Sequence, residues 1–334
     1  MTATLKLTAA STAISLFIGS TAAVAEPVKW DFSDEYDLSG TTGRTAAYCI
    51  EEIEKIAGDS IDITYQGGGA LGFKSSDHFD AVQDGSVHAA VTLLTQMSGI
   101  DPIFNLSSIP FIASTPEEAY MLWQAARPEY EKVFADNNMV LLWALPNAPS
   151  GVHANVAIDS VDALKGLRIR TYDVNSTETF KETGAAPLQI AWSDLVPQLS
   201  TGGIDAVLTS AEGGEQISIW DYVTDFTEVN YAMALFVAHA NKDAFDALPE
   251  DAQAALTDTI ADCDKYAWSV MEETRTSPYE NMRENGMTIT LDEDVPSEVY
   301  DVLREAASTV RDAWLEETGE RGQAILTAFE DMRQ

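Results

Sequence analysis

Apolar and polar positions along this chain follow two periods in turn. Val28–Ser33 and Ile61–Tyr65 place apolar or β-branched residues at every second position, the pattern of half-buried strands. Between them, Thr41–Ala57 sets Ala46, Ala47, Ile50, Ile53 and Ile56 along one helical stripe. The rhythm continues with a helix over Ser76–Asp84, a buried strand over Ala89–Leu94, a helix over Thr115–Phe134 and a strand over Val140–Ala144. Pro116 suits the first turn of its helix, where a missing N–H is not needed.

The same alternation restarts in the second half. Strands are predicted at Leu167–Thr171, Leu188–Ile190 and Ala206–Leu208, with helices at Ser176–Thr183 and at Ser193–Ser200, the latter opened by an N-cap serine. Leu248–Met282 reads as one long helical stretch, whose opening Pro249-Glu250-Asp251 puts acids at a helix N-terminus. The tail Ser297–Phe329 reads as an amphipathic helix. Short strands alternating with longer helices predict an α/β fold. No repeat, low-complexity tract or Pro-rich linker interrupts the chain, so two intertwined α/β lobes are expected rather than separate beads.

Composition narrows the setting. Met1–Ala25 has Lys6 as its single charge, then a short apolar run, then Ala23-Val24-Ala25, the three parts of a cleavable secretory signal. Ala13–Gly19 is too short and too broken by serine for a span of about 20 apolar residues. A soluble periplasmic protein is therefore expected. With 54 acidic against 19 basic residues the formal charge is −35, which opposes nucleic-acid backbones and anionic lipid surfaces. Cys49 and Cys263 are far apart and form no C-x-x-C; export permits a disulfide, while two separate buried thiols fit equally well.

Catalytic patterns fail on inspection. Gly67-Gly68-Gly69-Ala70-Leu71-Gly72 matches G-x-G-x-x-G after a strand, but the next strand ends Val91-Thr92-Leu93-Leu94 without the acid that holds a ribose. Lys74-Ser75 lies one residue too far on for a phosphate loop. His78, His88, His153 and His239 are scattered without metal-binding spacing, and no nucleophile elbow occurs. Neither an enzyme, a cofactor nor a metal site is expected.

Three ordered segments point elsewhere. Leu164-Lys165-Gly166-Leu167-Arg168-Ile169-Arg170, then Gly184-Ala185-Ala186-Pro187-Leu188, then Trp192-Ser193-Asp194-Leu195 leading to Gly202-Gly203-Ile204-Asp205, resemble the solute-binding proteins of tripartite ATP-independent periplasmic (TRAP) transporters, the DctP-type family. Gly69-Ala70-Leu71-Gly72, Asp84-Gly85-Ser86-Val87 and Leu248-Pro249-Glu250-Asp251-Ala252-Gln253 support the resemblance, which covers Val28 to about Phe329. It implies a two-lobed periplasmic-binding-protein fold (type II-like) with a long helix spanning both lobes. On that pattern lobe I takes 26–148 plus 236–276 and lobe II takes 149–235 plus 277–334. It further implies a monomer that closes on a small organic acid and hands it to the membrane permease subunits.

The family's carboxylate-binding arginine matches Arg170. A planar fork of five donors suits a carboxylate better than an ammonium does. Arg168 shares the strand face by the period of two, and the resemblance, not periodicity, selects Arg170. Family positions for ligand contacts fall at Phe73, Lys74, Leu93, Tyr172, Trp192, Thr209 and Ser210, while a second arginine seen in some members falls near Ser150. Several groups that read hydroxyls are thus replaced, and aromatic walls favour a flat apolar body. The expected ligand is an aromatic or apolar monocarboxylate, benzoate-like; a small 2-oxo or 2-hydroxy acid is the alternative, and an exported carboxylate-acting enzyme or a sensor's binding protein are more distant ones. The signal reading makes a direct prediction: intact-mass analysis of exported protein should place Glu26 at the mature N-terminus, and retention of Met1–Ala25 would overturn it.

Overall fold

The computed structural model describes residues 26–333; the expected signal segment Met1–Ala25 lies outside them. The first half contains β1 (Val28–Asp34), α1 (Thr41–Ala57), β2 (Ile61–Gln66), α2 (Ser75–Gln83), β3 (Ala89–Leu93), α3 (Pro116–Asp136) and β4 (Met139–Pro146). Then come β5 (Gly151–Ala154), α4 (Val161–Leu164), β6 (Ile169–Thr171), α5 (Val174–Glu182), β7 (Leu188–Gln189), α6 (Leu195–Ser200), β8 (Ala206–Thr209), α7 (Ala211–Gln216) and β9 (Asp225–Thr227). The chain continues with β10 (Leu235–Asn241), α8 (Lys242–Asp246), α9 (Glu250–Asp258), α10 (Ile260–Thr274), α11 (Pro278–Glu284) and β11 (Thr288–Thr290). It ends in α12 (Ser297–Thr318) and α13 (Glu320–Met332).

Two sheets carry these elements. Lobe I is built on a five-stranded sheet ordered β2-β1-β3-β10-β4, and lobe II on a six-stranded sheet ordered β11-β9-β5-β8-β6-β7. Within lobe I, β2, β1 and β3 run parallel while β10 runs antiparallel to both β3 and β4. In lobe II, β5 runs antiparallel to β8 and β9. The backbone therefore crosses between lobes twice here, from β4 to β5 and from β9 back to β10. The two crossings lie side by side as a ribbon, because Asn147 N donates to Ala234 O (2.8 Å), Ser150 N to Ala232 O (3.0 Å) and Tyr231 N to Ser150 O (2.9 Å).

Burial explains the strand composition. All seven residues of β10 are buried, as are the five of β3, because helices cover both faces of the sheet there. One apolar cluster runs from Phe32, Trp143 and Phe236 in lobe I to Val152, Leu208 and Phe180 in lobe II. On the opposite face of the lobe I sheet, Phe104, Tyr130 and Phe134 pack with Trp314, Ile325 and Phe329.

Three helical expectations change. The stretch Leu248–Met282 is not one helix: it divides at Thr259 and again at 275–277, before Pro278. Its α10 packs on α1 and β4 of lobe I and its α11 on α7 of lobe II, so the path crosses the lobes in pieces. A proline lacks the N–H that continuation would require. The tail likewise breaks at Gly319, whose φ of 59° suits glycine. Consequently the segment 277–334 is shared: β11 joins the lobe II sheet, while α13 packs on α3 of lobe I. At the third position, the Trp192–Asp194 turn is a 3₁₀ segment that precedes α6, without a side-chain cap from Ser193.

The structure joins Cys49 of α1 to Cys263 of α10 in a disulfide, both residues fully buried. Bridging positions 214 residues apart in sequence constrains the unfolded chain strongly, by about 2–5 kcal/mol. Cys49→Ser with Cys263→Ser should lower the unfolding free energy by that order in a denaturant titration, and an unchanged midpoint would argue against the bridge.

Burial also sets a pH response. His78, His153 and His239 are enclosed, and desolvation lowers their pKa values to about 4, 4 and 3. These rings stay neutral in the fold but charge near pH 6.5 once unfolded. Their stabilising contribution is thus present above about pH 6.5 and is lost as pH falls towards about 4. Ring-proton NMR should show all three neutral at pH 5; a titration midpoint near 6.5 for any of them would contradict the enclosure.

Candidate functional site: a closed cavity between the lobes

The parallel strands aim their carboxyl ends at the cleft, where ligands of open α/β sheets bind. Leu93 ends β3, and Tyr36 lies just beyond β1. From lobe II, Arg170 lies in β6, Tyr172 follows it, Thr209 ends β8 and Ser210 caps α7 by accepting from Gly213 N (3.1 Å). These residues, with Trp192, line one cavity with about 40 Å³ open to the centre of a water molecule. Six of the eight expected residues therefore meet there: Arg170, Trp192, Tyr172, Leu93, Thr209 and Ser210.

The other two lie elsewhere. Phe73 is half-buried against the apolar layer on the far face of lobe I. Lys74 pairs through Nζ with Asp194 Oδ2 at 2.7 Å, both side chains substantially exposed. An exposed pair of this kind contributes about 0–1 kcal/mol, so it bridges the lobes without lining the cavity. Arg168 precedes β6 instead of lying within it. Its guanidinium turns to the surface and pairs with Asp205.

Arg170 is the cavity's dominant charge. The residue is only 3% exposed. Its Nε donates to Ile190 O (2.9 Å) and its Nη1 to Leu208 O (3.3 Å), while Nη2 has no acceptor and the side chain no carboxylate partner among the described residues. Its guanidinium carbon lies 5.7 Å from the Trp192 ring and 5.9 Å from the Tyr172 ring. Burial pulls its pKa below the ordinary arginine value, and the surrounding Tyr36, Tyr172, Glu35 and Asp173 oppose that shift. An arginine does not escape its charge in this way, so the cation stays, short of a counter-ion.

Sequence reasoning missed Tyr36, Thr41, Thr42, Asn147, Glu212, Gly213, Gln216, Ala234 and Phe236, all of which line the cavity. Tyr36 stacks on Trp192 (5.5 Å between centroids, 28°) and meets Phe236 edge-on (4.9 Å), so the three rings pack together as one aromatic wall of the ligand slot. The glycine-rich turn supports this slot. Gly68 N donates to Tyr36 O (2.7 Å) and Gly69 N to Asp34 O (2.9 Å), with φ of 66° and 68° that only glycine adopts freely. At Gly213 a Cβ would come within 2.6 Å of Thr209 Oγ1 and 3.3 Å of Trp192 Cη2, so the bare backbone is what lets α7 lie against the slot.

Further contacts close the lobes over the cavity. Glu35 Oε1 accepts from Ser193 N (3.0 Å) on lobe II, while its Oε2 accepts from Ser75 N (2.9 Å) on lobe I. Gln96 Nε2 donates to Tyr172 O (2.5 Å). Beneath the slot, burial pushes the Asp34 carboxyl up to about 7 despite a hydrogen bond from the Tyr65 hydroxyl.

The family described as bacterial extracellular solute-binding protein, family 7 (DctP), matches residues 32–317. The chain belongs to this family. Among solved structures, this solute-binding protein superposes on DctP6 of Bordetella pertussis, an extracytoplasmic solute receptor binding pyroglutamic acid. The TM-score is 0.87 at 28% identity, covering 91% of this chain and all of that one. DctP7 of the same organism, also binding pyroglutamic acid, matches at 0.87 with 26% identity over 91% and 99%. The ectoine-binding periplasmic protein TeaA of Halomonas elongata is 23% identical over 78% of this chain and 77% of its own length. The C4-dicarboxylate-binding periplasmic protein DctP of Rhodobacter capsulatus is 24% identical over 83% and 84%. Among the described residues, no helix is long and apolar enough to cross a membrane.

Proposed function

We propose that this solute-binding protein works outside the cytoplasmic membrane, after removal of Met1–Ala25, as a monomer. It captures a small monocarboxylate with a flat ring and delivers it to the membrane subunits of a TRAP transporter. The observation that carries the reading is Arg170: a buried guanidinium with a free Nη2 and no carboxylate partner among the described residues. A ligand carboxylate supplies the missing counter-ion and can engage the fork through paired hydrogen bonds.

Ligand size and shape follow from the walls. The cavity leaves about 40 Å³ open to water centres, which suits a small body. The Tyr36–Trp192 wall favours a planar ring lying against it, as the benzoate-like expectation has it, and the two Bordetella receptors that bind pyroglutamic acid add a second small ring acid. Arg170 is the one cationic side chain among the described lining residues, so a dicarboxylate would bring a second charge without a partner. A 2-oxo or 2-hydroxy acid would satisfy Arg170 while leaving the aromatic slot unfilled.

Calorimetric titration of Arg170→Ala, Arg170→Lys and Trp192→Ala with pyroglutamate, benzoate and pyruvate tests this. Removing one partner of a buried charge pair costs about 2–5 kcal/mol, so Arg170→Ala should weaken binding about 30- to several-thousand-fold. Arg170→Lys should restore part of it. Trp192→Ala should weaken the ring acids more than pyruvate. Near-wild-type affinity in Arg170→Ala would sink the anchor, and equal losses in Trp192→Ala would sink the ring slot.

A further inference from the structure

A second charge faces the same cavity from lobe II. Glu212, in the first turn of α7, lines the cavity and is only 6% exposed. It forms no ion pair among the described residues; Arg44, whose charge reaches it, is paired with Glu273 at 2.8 Å. Its hydrogen bonds all come from one residue of lobe I. Thr41 N donates to Oε1 (2.8 Å), and the Thr41 hydroxyl lies 2.9 Å from Oε1 and 2.8 Å from Oε2.

That hydroxyl has one proton to give, and Thr274 Oγ1 lies 3.2 Å from its oxygen. Thr41 thus supplies two donors in all, its N–H to Oε1 and its one hydroxyl proton to the pair of oxygens, and no other residue donates to Glu212 among the described residues. An ionised carboxylate offers about four lone-pair sites and donates nothing. Burial raises the Glu212 pKa, while the two Thr41 donors pull it back. Thr41 is also the first residue of α1, whose N-cap Gly40 has no side chain, and the N-terminal field of that helix favours the anion. The result is a buried carboxylate with lone-pair sites to spare, facing a cavity whose one cationic side chain among the described lining residues is Arg170.

We propose that Glu212 reads a ring N–H of the ligand, so that the preferred solute is a small cyclic nitrogen acid held by its carboxylate on Arg170 and by its N–H on Glu212. The inference rests on the Arg170 reading above and deepens it. The aromatic slot selects the ring, Arg170 the carboxylate and Glu212 the donor. A benzoate ring presents only C–H edges and offers Glu212 no donor. Both a neutral lactam and a cationic ring amine supply the N–H, and the two are told apart by titration.

The test compares pyroglutamate with its lactone isostere, 5-oxotetrahydrofuran-2-carboxylate, which replaces the N–H by an oxygen that can only accept. Wild-type protein should bind the lactam about ten- to a hundred-fold tighter, the range for a hydrogen bond to a charged group. In Glu212→Ala the ratio should collapse to within about three-fold, because losing the Thr41 contact weakens both ligands alike. Glu212→Gln, which retains the shape and one acceptor, should give an intermediate ratio and guards against a misfolded alanine variant. Proline in place of pyroglutamate reports whether the N–H is charged; either one exceeding the lactone supports the proposal. A lactone bound as tightly as the lactam by wild-type protein, or an unchanged preference in a folded Glu212→Ala, overturns it. Benzoate bound through Arg170 with both nitrogen acids refused overturns this inference alone. Loss of Arg170-dependent binding to every acid overturns both readings.

Discussion

A guanidinium withdrawn from water and given no anion is the condition around which this protein is arranged. The isolated charge at Arg170 is expensive, because removal from water costs several kcal/mol even after relaxation. Two backbone carbonyls and two aromatic faces offset part of that penalty. None of these groups cancels a charge. In the proposed function the balance is left to the solute, which turns a destabilising feature of the site into selectivity for carboxylates. The surface charge of the chain works the other way over longer distances: a net −35 repels anions in bulk, so the proposed capture would depend on short-range pairing at Arg170 and not on steering.

The closing contacts differ in weight. The Lys74–Asp194 bridge is exposed and contributes little. Glu35 and Glu212 are buried, and each accepts backbone N–H groups, Glu35 from both lobes and Glu212 from across the cleft. A buried carboxylate with donors on the far side loses those donors when the lobes part and must be rehydrated. Closure therefore rests on these two acids and on the shared cavity lining, with the surface pair as an accessory.

Much of the architecture was legible. Strand β2 alternates cleanly because it has one wet and one dry face, β1 alternates in residue type although its last three residues are all buried, and α1 and α3 have clear stripes or caps. The crossing strands escaped notice for the opposite reason. Residues 235–241, LFVAHAN, are buried throughout and so have no period to read, and Gly151–Ala154 is too short for one. The divisions of Leu248–Met282 had a visible marker in Pro278 but not at Thr259. In the site, Arg170 and Trp192 were recoverable from ordered motifs. Glu212 and Asn147 were not: one acid among 54 carries no mark, and only the fold brings α7 against the start of α1. Phe73 and Lys74 failed as lining residues because a family position fixes where a residue sits in the chain, not which way the following turn sends its side chain.

The hydrogen-bonded ribbon formed by 147–150 and 231–234 has a mechanical consequence. Two strands tied edge to edge resist shear and in-plane bending but flex readily out of their plane, as a leaf spring does. In the proposed capture cycle such a ribbon would confine opening mainly to a hinge motion about its own length. The two halves of the cavity lining would then part and rejoin as rigid bodies.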